Sequence, residues 1–315
     1  MQLFCKAIAD KDQLTARLTV LNDGVEILLR PQSLDFTIIQ WASEHFPSVA
    51  IEVGDRLEEG MPLDPLNDQP HIRDRSRAYL EGIFELADQM EIERVTAHLI
   101  AKSVILNASL PSPVYSVAEA MELARQYYTS LGPRLVLENT LLLDPIGNNM
   151  VAYWGLGKTL WDFAELDLPL CLDVAHLGAT LQALKVAHEQ KTDIFHMDCG
   201  TYRVHLTDQE RALGLAVAGQ SLTEAFLSHL DVLPAGLLRG VHLSNCRGFG
   251  VNADGWLDGD LDLVLIMEKL AKMRPDYLVP EIRETDYIQY SGNRLMMDAA
   301  RGILSRTEDV HGGGD

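Results

Sequence analysis

Short apolar runs alternate with helix-like stretches from one end of the chain to the other, and this alternation restricts the possible folds more than any other feature. A parallel strand that is covered on both faces reads as a continuous apolar run, and each parallel connection needs a crossover segment. The alternation over 315 residues predicts an α/β fold, a single (β/α)8 TIM barrel with long loops after strands 5 and 6. The predicted strands are residues 3–8, 24–30, 48–54, 94–100, 134–139, 168–176, 238–245 and 276–282.

Amphipathic segments lie between these runs, and their apolar residues recur at intervals of three and four, which is typical of crossover helices. The alternative is an open, doubly wound sheet. Such a sheet would usually carry a glycine-rich phosphate-binding turn, and the sequence contains neither GxGxxG nor GxxxxGK[ST]. No linker divides the chain, so we expect one barrel domain over residues 1–305 and a disordered tail over 306–315.

The composition excludes several classes of protein. A net charge of -20 repels polyanions, so we expect no nucleic-acid partner. The N-terminal residues do not resemble a signal peptide and no apolar stretch is long enough to span a bilayer, so we expect a soluble, cytoplasmic protein without a membrane partner. The four cysteines form no CxxC pair and are expected to be reduced thiols.

Ionisable side chains stand at or near the carboxyl ends of the last four predicted strands. They are Glu138, Asp173, His242 and Glu281. Each residue alone also fits a solvated strand end or a satisfied core histidine. The ends of neighbouring barrel strands converge on one cleft, however, and carboxylates mixed with an imidazole suit a divalent ion such as Mn²⁺ or Zn²⁺, with Co²⁺, Fe²⁺ or Mg²⁺ as further options.

The segments LENT, LDVAH, GVHLSN and LVPEI resemble, in order and placement, the strand-end motifs of the xylose isomerase-like barrel superfamily. That superfamily includes sugar isomerases, ketose 3-epimerases, inosose dehydratase and endonuclease IV. The resemblance implies that the four strand-end residues hold a single divalent ion. It also implies that Glu138 and Glu281 are the catalytic acid/base pair, acting on opposite faces of a substrate carbon.

The same resemblance implies substrate-binding residues. His176 matches a substrate-binding or second-metal histidine, and Arg247 lies near the position of a substrate-contacting arginine. His98, at the end of strand 4, is a further candidate for substrate or for a second ion, although a histidine packed in the barrel rim is the favoured interpretation. Asn245 replaces the aspartate that many relatives carry there, and residues 251–263 contain no histidine, which disfavours a multinuclear site.

The resulting hypothesis is a divalent-metal-dependent isomerase or epimerase acting on a small sugar or polyol-derived carbonyl compound, with a dehydratase using the same first step. The alternatives are a metal-dependent phosphodiester hydrolase like endonuclease IV and a non-catalytic barrel that retains a metal or ligand site. Arg247 and Arg283 are the sole cations near the ends of strands 7 and 8, which favours a non-phosphorylated substrate. A homodimer is possible.

Overall fold

Eight parallel strands close into a barrel whose spatial order follows the sequence, so the predicted fold class is confirmed. The computed structural model describes residues 1–31, 35–58, 61–101, 103–105, 116–146, 149–153, 156–197, 200–249, 251–284 and 286–311. The barrel strands are β1 (Gln2–Ile8), β2 (Gly24–Leu29), β3 (Val49–Val53), β4 (Val95–His98), β5 (Leu135–Glu138), β6 (Leu170–Asp173), β7 (Leu238–Leu243) and β8 (Tyr277–Pro280).

Helices connect the strands, and side-chain caps fix where several of them begin. Asp173 caps α6, Asp262 caps α9, and capping boxes start α7 and α8. The helices are α1 (Lys11–Arg17), α2 (Phe36–His45), α3 (Pro70–Gln89), α4 (Val117–Ser130), α5 (Leu160–Leu166), α6 (Val174–Gln190), α7 (Asp208–Val217), α8 (Leu222–Leu230), α9 (Leu263–Met273) and α10 (Ser291–His311).

The two long connections are more ordered than the word loop suggests. The connection after β5 contains α5 and two antiparallel strands, and the connection after β6 consists largely of α6, α7, α8 and a hairpin. The additional short strands are Arg56–Glu58 with Met61–Pro62, Ser103–Ile105 with Leu143–Ile146 and Asn149–Tyr153, Ile194–Met197 with Gly200–Arg203, and Asn245–Arg247 with Val251–Asp254. The sequence did not predict these strands, because each is too short to show a period.

The apolar core has two parts. The larger part lies mainly between the barrel strands and the helices, and the smaller part includes Phe4, Cys171 and Tyr277. A side chain at Gly240 would overlap the ring of Tyr277, so glycine at this position lets the tyrosine lie across β7. The guanidinium of Arg94 lies over that ring, 3.3 Å from its centroid.

Helix α10 continues to His311 and so covers the first residues of the predicted tail, while 312–315 lie outside the described residues. Cys5, Cys171 and Cys246 are buried free thiols, as predicted, and the fourth cysteine, Cys199, lies outside the described residues. Among the described helices, none combines the length and apolarity that a membrane-spanning segment requires.

Candidate metal centre

Four side chains that the sequence singled out come together at the carboxyl end of the barrel. One donor atom from each of Glu138, Asp173, His242 and Glu281 lies within 4.8 Å of the others. His242 Nδ1 is 3.2 Å from Glu138 Oε2 and 3.1 Å from Glu281 Oε2. These four residues are called the metal cluster below.

Strand register places these side chains side by side. Asp173 on β6 is the register partner of His242 on β7, and the backbone N–H of Glu281 donates to the carbonyl of Leu243 at 3.0 Å. The side chain of Asn139 links the ends of β5 and β6, because it accepts from the N–H of Asp173 at 2.7 Å and donates to its carbonyl at 3.0 Å. Backbone pairing therefore holds the four side chains of the metal cluster close together without a bound ligand.

The donor set fits a divalent ion. Glu138 and His242 are 1% and 0% exposed, yet within the described residues neither Glu138 Oε2 nor His242 Nδ1 has a hydrogen-bond partner of acceptable geometry. Buried polar atoms without partners are costly, and a cation between them would satisfy both. Three carboxylates with one imidazole are a donor set that Mn²⁺ and Zn²⁺ accept.

Neighbouring charges set the protonation of the two glutamates. Burial raises the pKa of Glu281, but Lys6 and His242 outweigh it and hold that pKa well below its usual value. Burial likewise raises the pKa of Glu138, and His98 with His242 lowers it to a net value below normal. Both glutamates are therefore ionised at neutral pH, which metal binding and proton acceptance both require.

Asp173 differs, because burial raises its pKa above the usual value despite the nearby His176. Its Oδ1 already accepts the backbone N–H of His176 at 2.7 Å, as the cap of α6. Burial lowers the pKa of His176 itself, whereas Asp173 and Glu138 raise it to about 9. A positively charged His176 thus faces the metal cluster in the absence of an ion.

His98 and His176 form a second group around Glu138. His98 Nε2 lies 3.5 Å and His176 Nδ1 3.7 Å from Glu138 Oε1, and the two imidazole rings are 6.0 Å apart. Donor atoms of these three residues also lie within 4.8 Å of one another. His98 is the register partner of Glu138, so the strand pairing that builds the metal cluster also builds this group. Glu138 is common to both.

The side chain of Arg247 contacts the loop that follows β7, and none of its described partners belongs to the metal cluster. Its side chain is 61% exposed, its Nη2 lies 3.4 Å from Asp254 Oδ2, and its Nε donates to the carbonyl of Asp258 at 3.2 Å. In the described part of the chain, both partners belong to residues 254–258. A substrate contact by Arg247 stays a prediction, and it would require the side chain to break these interactions.

Three charged residues inside the barrel were not predicted as part of a site. Lys6 on β1 contacts Glu26 on β2, Glu52 on β3 and Glu281; its Nζ lies 3.3 Å from Glu26 and 3.1 Å from Glu281. We call Lys6, Glu26 and Glu52 the inner cluster. Each is the lone charged residue of an apolar strand run (FCKAI, GVEILL and VAIEV), a pattern that marks the residue but not the side of the strand on which its side chain lies.

His242 joins the inner cluster to the metal cluster. Its Nε2 lies 2.7 Å from Glu26 Oε1, while its Nδ1 faces Glu138 and Glu281. Carboxylates that contact the far nitrogen of a ligand histidine fix its tautomer and orientation. Glu26 stands in that position here.

Asn245 replaces the expected aspartate for a structural reason. Its amide donates to the carbonyl of Leu261 and its oxygen accepts the N–H groups of Cys246 and Leu261. An aspartate could accept but not donate. A side chain at Gly259 would collide with Asn245, so these two residues together pin the loop that follows β7. The side-chain amide of Asn245 is therefore engaged in hydrogen bonds with the backbone and is not available as a ligand for a further ion.

The fold and the site together define a class: a closed (β/α)8 barrel with carboxylates and an imidazole gathered at the carboxyl ends of adjacent strands. Solved structures share this architecture. An L-ribulose 3-epimerase matches with a TM-score of 0.59 and 14% identity, over 98% of this chain and 97% of its own. A xylose isomerase domain protein from Planctomyces limnophilus matches with a TM-score of 0.54 and 10% identity, over 97% of this chain and 98% of its own.

Endonuclease IV from Thermus thermophilus matches as well, with a TM-score of 0.51 and 15% identity, over 97% of this chain and 100% of its own. No protein-family model matches the chain, and no curated protein sequence matches it. Identities this low show a common fold. The structural resemblance to the xylose isomerase-like barrels, expected from four short motifs, is thereby confirmed.

Proposed function

We propose that this protein is a divalent-metal-dependent isomerase or epimerase that acts on a small sugar or polyol-derived carbonyl compound. The observation that carries the proposal is the metal cluster: four donors at the carboxyl ends of four successive strands, of which Glu138 Oε2 and His242 Nδ1 are buried and lack hydrogen-bond partners among the described residues. The epimerase and isomerase-domain structures that share the fold support the choice of reaction class.

Glu138 and Glu281 are the proposed proton carriers. Both are ionised at neutral pH because neighbouring cations lower their pKa values, so either can accept a proton from a substrate carbon. A divalent ion held by the metal cluster would polarise an adjacent carbonyl or hydroxyl group and so acidify that carbon. Epimerisation would then need the other glutamate to have taken up a proton from solvent, so that it can donate it to the opposite face of the carbon; loss of a β-hydroxyl together with a proton, as water, would instead give the dehydrated product.

His176 and His98 are the proposed orienting groups. Their side chains are 16% and 10% exposed, and both ring systems lie beside Glu138. His176 Nδ1 lies 2.9 Å from the carbonyl of Asn139, which directs the other ring nitrogen away from the backbone. That nitrogen can then donate to or accept from a substrate hydroxyl.

Metal content per chain tests the proposal most directly. We expect one Mn²⁺ or Zn²⁺ ion in the reconstituted wild type and at least about a tenfold loss of affinity in Glu138→Gln, because a neutral amide is a weaker ligand. Glu268→Gln on α9, exposed and equal in charge change, is the control and should bind as wild type does. Absence of any ion from the wild type would refute the proposal.

Solvent exchange tests the chemistry. A metal-loaded enzyme that removes a proton from carbon should introduce deuterium from D₂O into a ketose or inosose substrate, detectable by NMR, and Glu281→Gln should abolish that exchange. A screen of ketoses and inososes, together with their acid and phosphate derivatives, that shows no exchange and no product with the metal-loaded chain would favour the non-catalytic barrel.

The group of His98, Glu138 and His176 favours one second candidate, a metal-dependent phosphodiester hydrolase. A second ion held there would share Glu138 with the first, and paired ions suit displacement at phosphorus. Two bound ions in wild type, of which one is lost in His98→Gln, together with cleavage of a model phosphodiester, would select this candidate. The acidic chain and the engagement of Asn245 in backbone contacts argue against it.

A further inference from the structure

A cavity of about 380 Å³ opens beside the metal cluster, at the carboxyl ends of β8, β1 and β2. Glu281 and Lys6 form its inner wall, and Arg30, Arg283, Tyr287 and Asn293 are among its other lining residues. We call it the rim cavity. Its volume is in the range of small-molecule sites, and it adjoins the metal cluster through Glu281.

The lining of the rim cavity is positively charged, in contrast to the chain as a whole. Arg30 and Arg283 follow β2 and β8, on either side of β1, and both are exposed. Of the described residues that line the cavity, Glu281 alone carries a carboxylate, and that carboxylate lies 3.1 Å from Lys6 Nζ. Arg283 makes no ion pair with any described residue. Lys6 is already balanced by its three carboxylate partners, so the excess positive charge of the lining comes from the exposed Arg30 and Arg283.

A buried guanidinium behind the cavity wall increases this excess. Arg17 is 1% exposed; its Nε donates to the carbonyl of Lys6 and its Nη2 to the carbonyl of Tyr287. It stacks on Tyr290, 3.6 Å from the ring centroid, and Nη1 has no partner in the described part of the chain. No described carboxylate lies within ion-pair distance of it. Glu284 stabilises this buried cation from beyond ion-pair distance, and an anion in the cavity would stabilise it further.

We propose that the rim cavity binds the oxyanion of a small substrate, a carboxylate or a phosphate ester, with Arg283 and Arg30 as its direct partners. The inference rests on the proposed function, since the polyhydroxylated part of the same molecule would extend toward the metal cluster. Guanidinium groups suit both oxyanions because their paired N–H donors match two oxygens. The substrate class is thus a sugar acid or a sugar phosphate rather than a neutral ketose.

Three polyols that differ at one end provide the probes: D-gluconate, D-glucitol 6-phosphate and neutral D-glucitol. Their dissociation constants are measured by isothermal titration calorimetry, on wild type, Arg283→Gln, Arg30→Gln and the control Arg211→Gln. Arg211 is an exposed arginine on α7, so its replacement removes the same charge away from the cavity. Each titration is run on metal-free and on Mn²⁺-loaded protein, because the ion could itself attract an anion.

We expect one of the two anions to bind wild type at least about tenfold more tightly than glucitol, with or without metal, and the tighter one identifies the oxyanion. Arg283→Gln should remove most of that preference, Arg30→Gln part of it, and Arg211→Gln none. Equal affinities for all three probes would overturn the inference. So would a preference that Arg283→Gln leaves intact, or one that exists only with Mn²⁺ bound and is indifferent to both arginines.

The metal content of the same samples separates the two proposals. Wild type that takes up Mn²⁺ but does not discriminate between the probes refutes the anionic substrate and leaves the metalloenzyme proposal standing. Wild type that takes up no ion but discriminates through Arg283 refutes the metalloenzyme proposal, while the cavity remains an oxyanion site. Circular dichroism confirms that each variant is folded.

Discussion

Glu26 Oε1 lies 2.7 Å from Nε2 of His242, whereas Nδ1 of the same ring faces Glu138 and Glu281. Glu26 is fully buried, and His242 and Lys6 hold its pKa at about 2 although burial alone would raise it. Burial lowers the pKa of His242, but the carboxylates around it hold that pKa well above the usual value, so both ring nitrogens carry protons in the absence of an ion. An ion bound at Nδ1 would displace that proton, and an ionised Glu26 would hold the other one on Nε2. Glu26 is therefore a positioning residue for the metal cluster.

Replacement of Glu26 tests this role. We expect Glu26→Gln to bind Mn²⁺ or Zn²⁺ about tenfold less tightly, because an amide orients the imidazole less strongly and does not enhance its basicity. Calorimetric titration of the metal-free protein measures the change, with Glu268→Gln as the matched control. An unchanged dissociation constant would show that Glu26 has no influence on the ligand nitrogen.

Lys6 is the counter-ion of three carboxylates, which makes it a stability determinant. We expect Lys6→Met to lower the free energy of unfolding by about 3–5 kcal/mol, since Glu26, Glu52 and Glu281 would remain buried or partly buried without their ammonium partner. Urea unfolding followed by fluorescence measures the loss. Lys272→Met on α9, an exposed lysine, should change stability by less than about 0.5 kcal/mol.

The buried pair of Lys158 and Glu210 connects the segment before α5 to α7, and both side chains are almost fully buried. We expect Lys158→Met to cost about 3–5 kcal/mol, because Glu210 would be left without its cationic partner. The double variant Lys158→Met with Glu210→Met should recover part of that loss, since it also removes the hydrogen bond from the Thr207 N–H to Glu210 that helps to cap α7. If the double variant is less stable than the single one, the pair itself is strongly stabilising.

The pH dependence of stability should carry a contribution from His229. Its Nε2 accepts the backbone N–H of Leu160 at 3.1 Å, and burial lowers its pKa from 6.5 to about 4. The unfolded chain then binds more protons than the folded one between these values, so stability is present above pH 6.5 and is lost as the pH falls toward 4. The contribution is about 3 kcal/mol.

His229→Gln keeps a hydrogen-bond acceptor but cannot titrate, so its stability should fall less steeply over this pH range than that of wild type. His71→Gln, at an exposed position on α3, is the control and should follow wild type. Thermal unfolding at several pH values between about 4 and 7 compares the three proteins. Parallel curves for all of them would contradict the assignment to His229.

The sequence predicted the barrel and the metal cluster because both depend on strand ends. Apolar runs that end at or near a carboxylate, such as Glu138 or Asp173, can be recognised in the sequence alone, and neighbouring strand ends converge in every such barrel. The inner cluster was missed for an equally physical reason. A strand covered on both faces shows no alternation, so nothing in FCKAI or GVEILL tells whether Lys6 or Glu26 points into the barrel or toward the helices.

The contacts of Arg247 and the wall of the rim cavity were also beyond reach of the sequence. Arg17, Arg30 and Arg283 come from three separate connections, and their proximity follows only from barrel closure between β1, β2 and β8. The spacing of these residues in the sequence does not indicate that they are close together. Their proximity can be inferred only from the order of the strands in the closed barrel.

The contact between Lys6 and Glu281 spans the closure of the barrel, from its first strand to the residue just beyond its last. During synthesis, Lys6, Glu26 and Glu52 leave the ribosome early, followed by Glu138, Asp173 and His242, and Glu281 comes last. Until Glu281 has been synthesised, Lys6 therefore lacks one of its three carboxylate partners, and the metal cluster lacks one of its four side chains. The four side chains of the metal cluster can come together only after the last strand has taken its place between the seventh and the first.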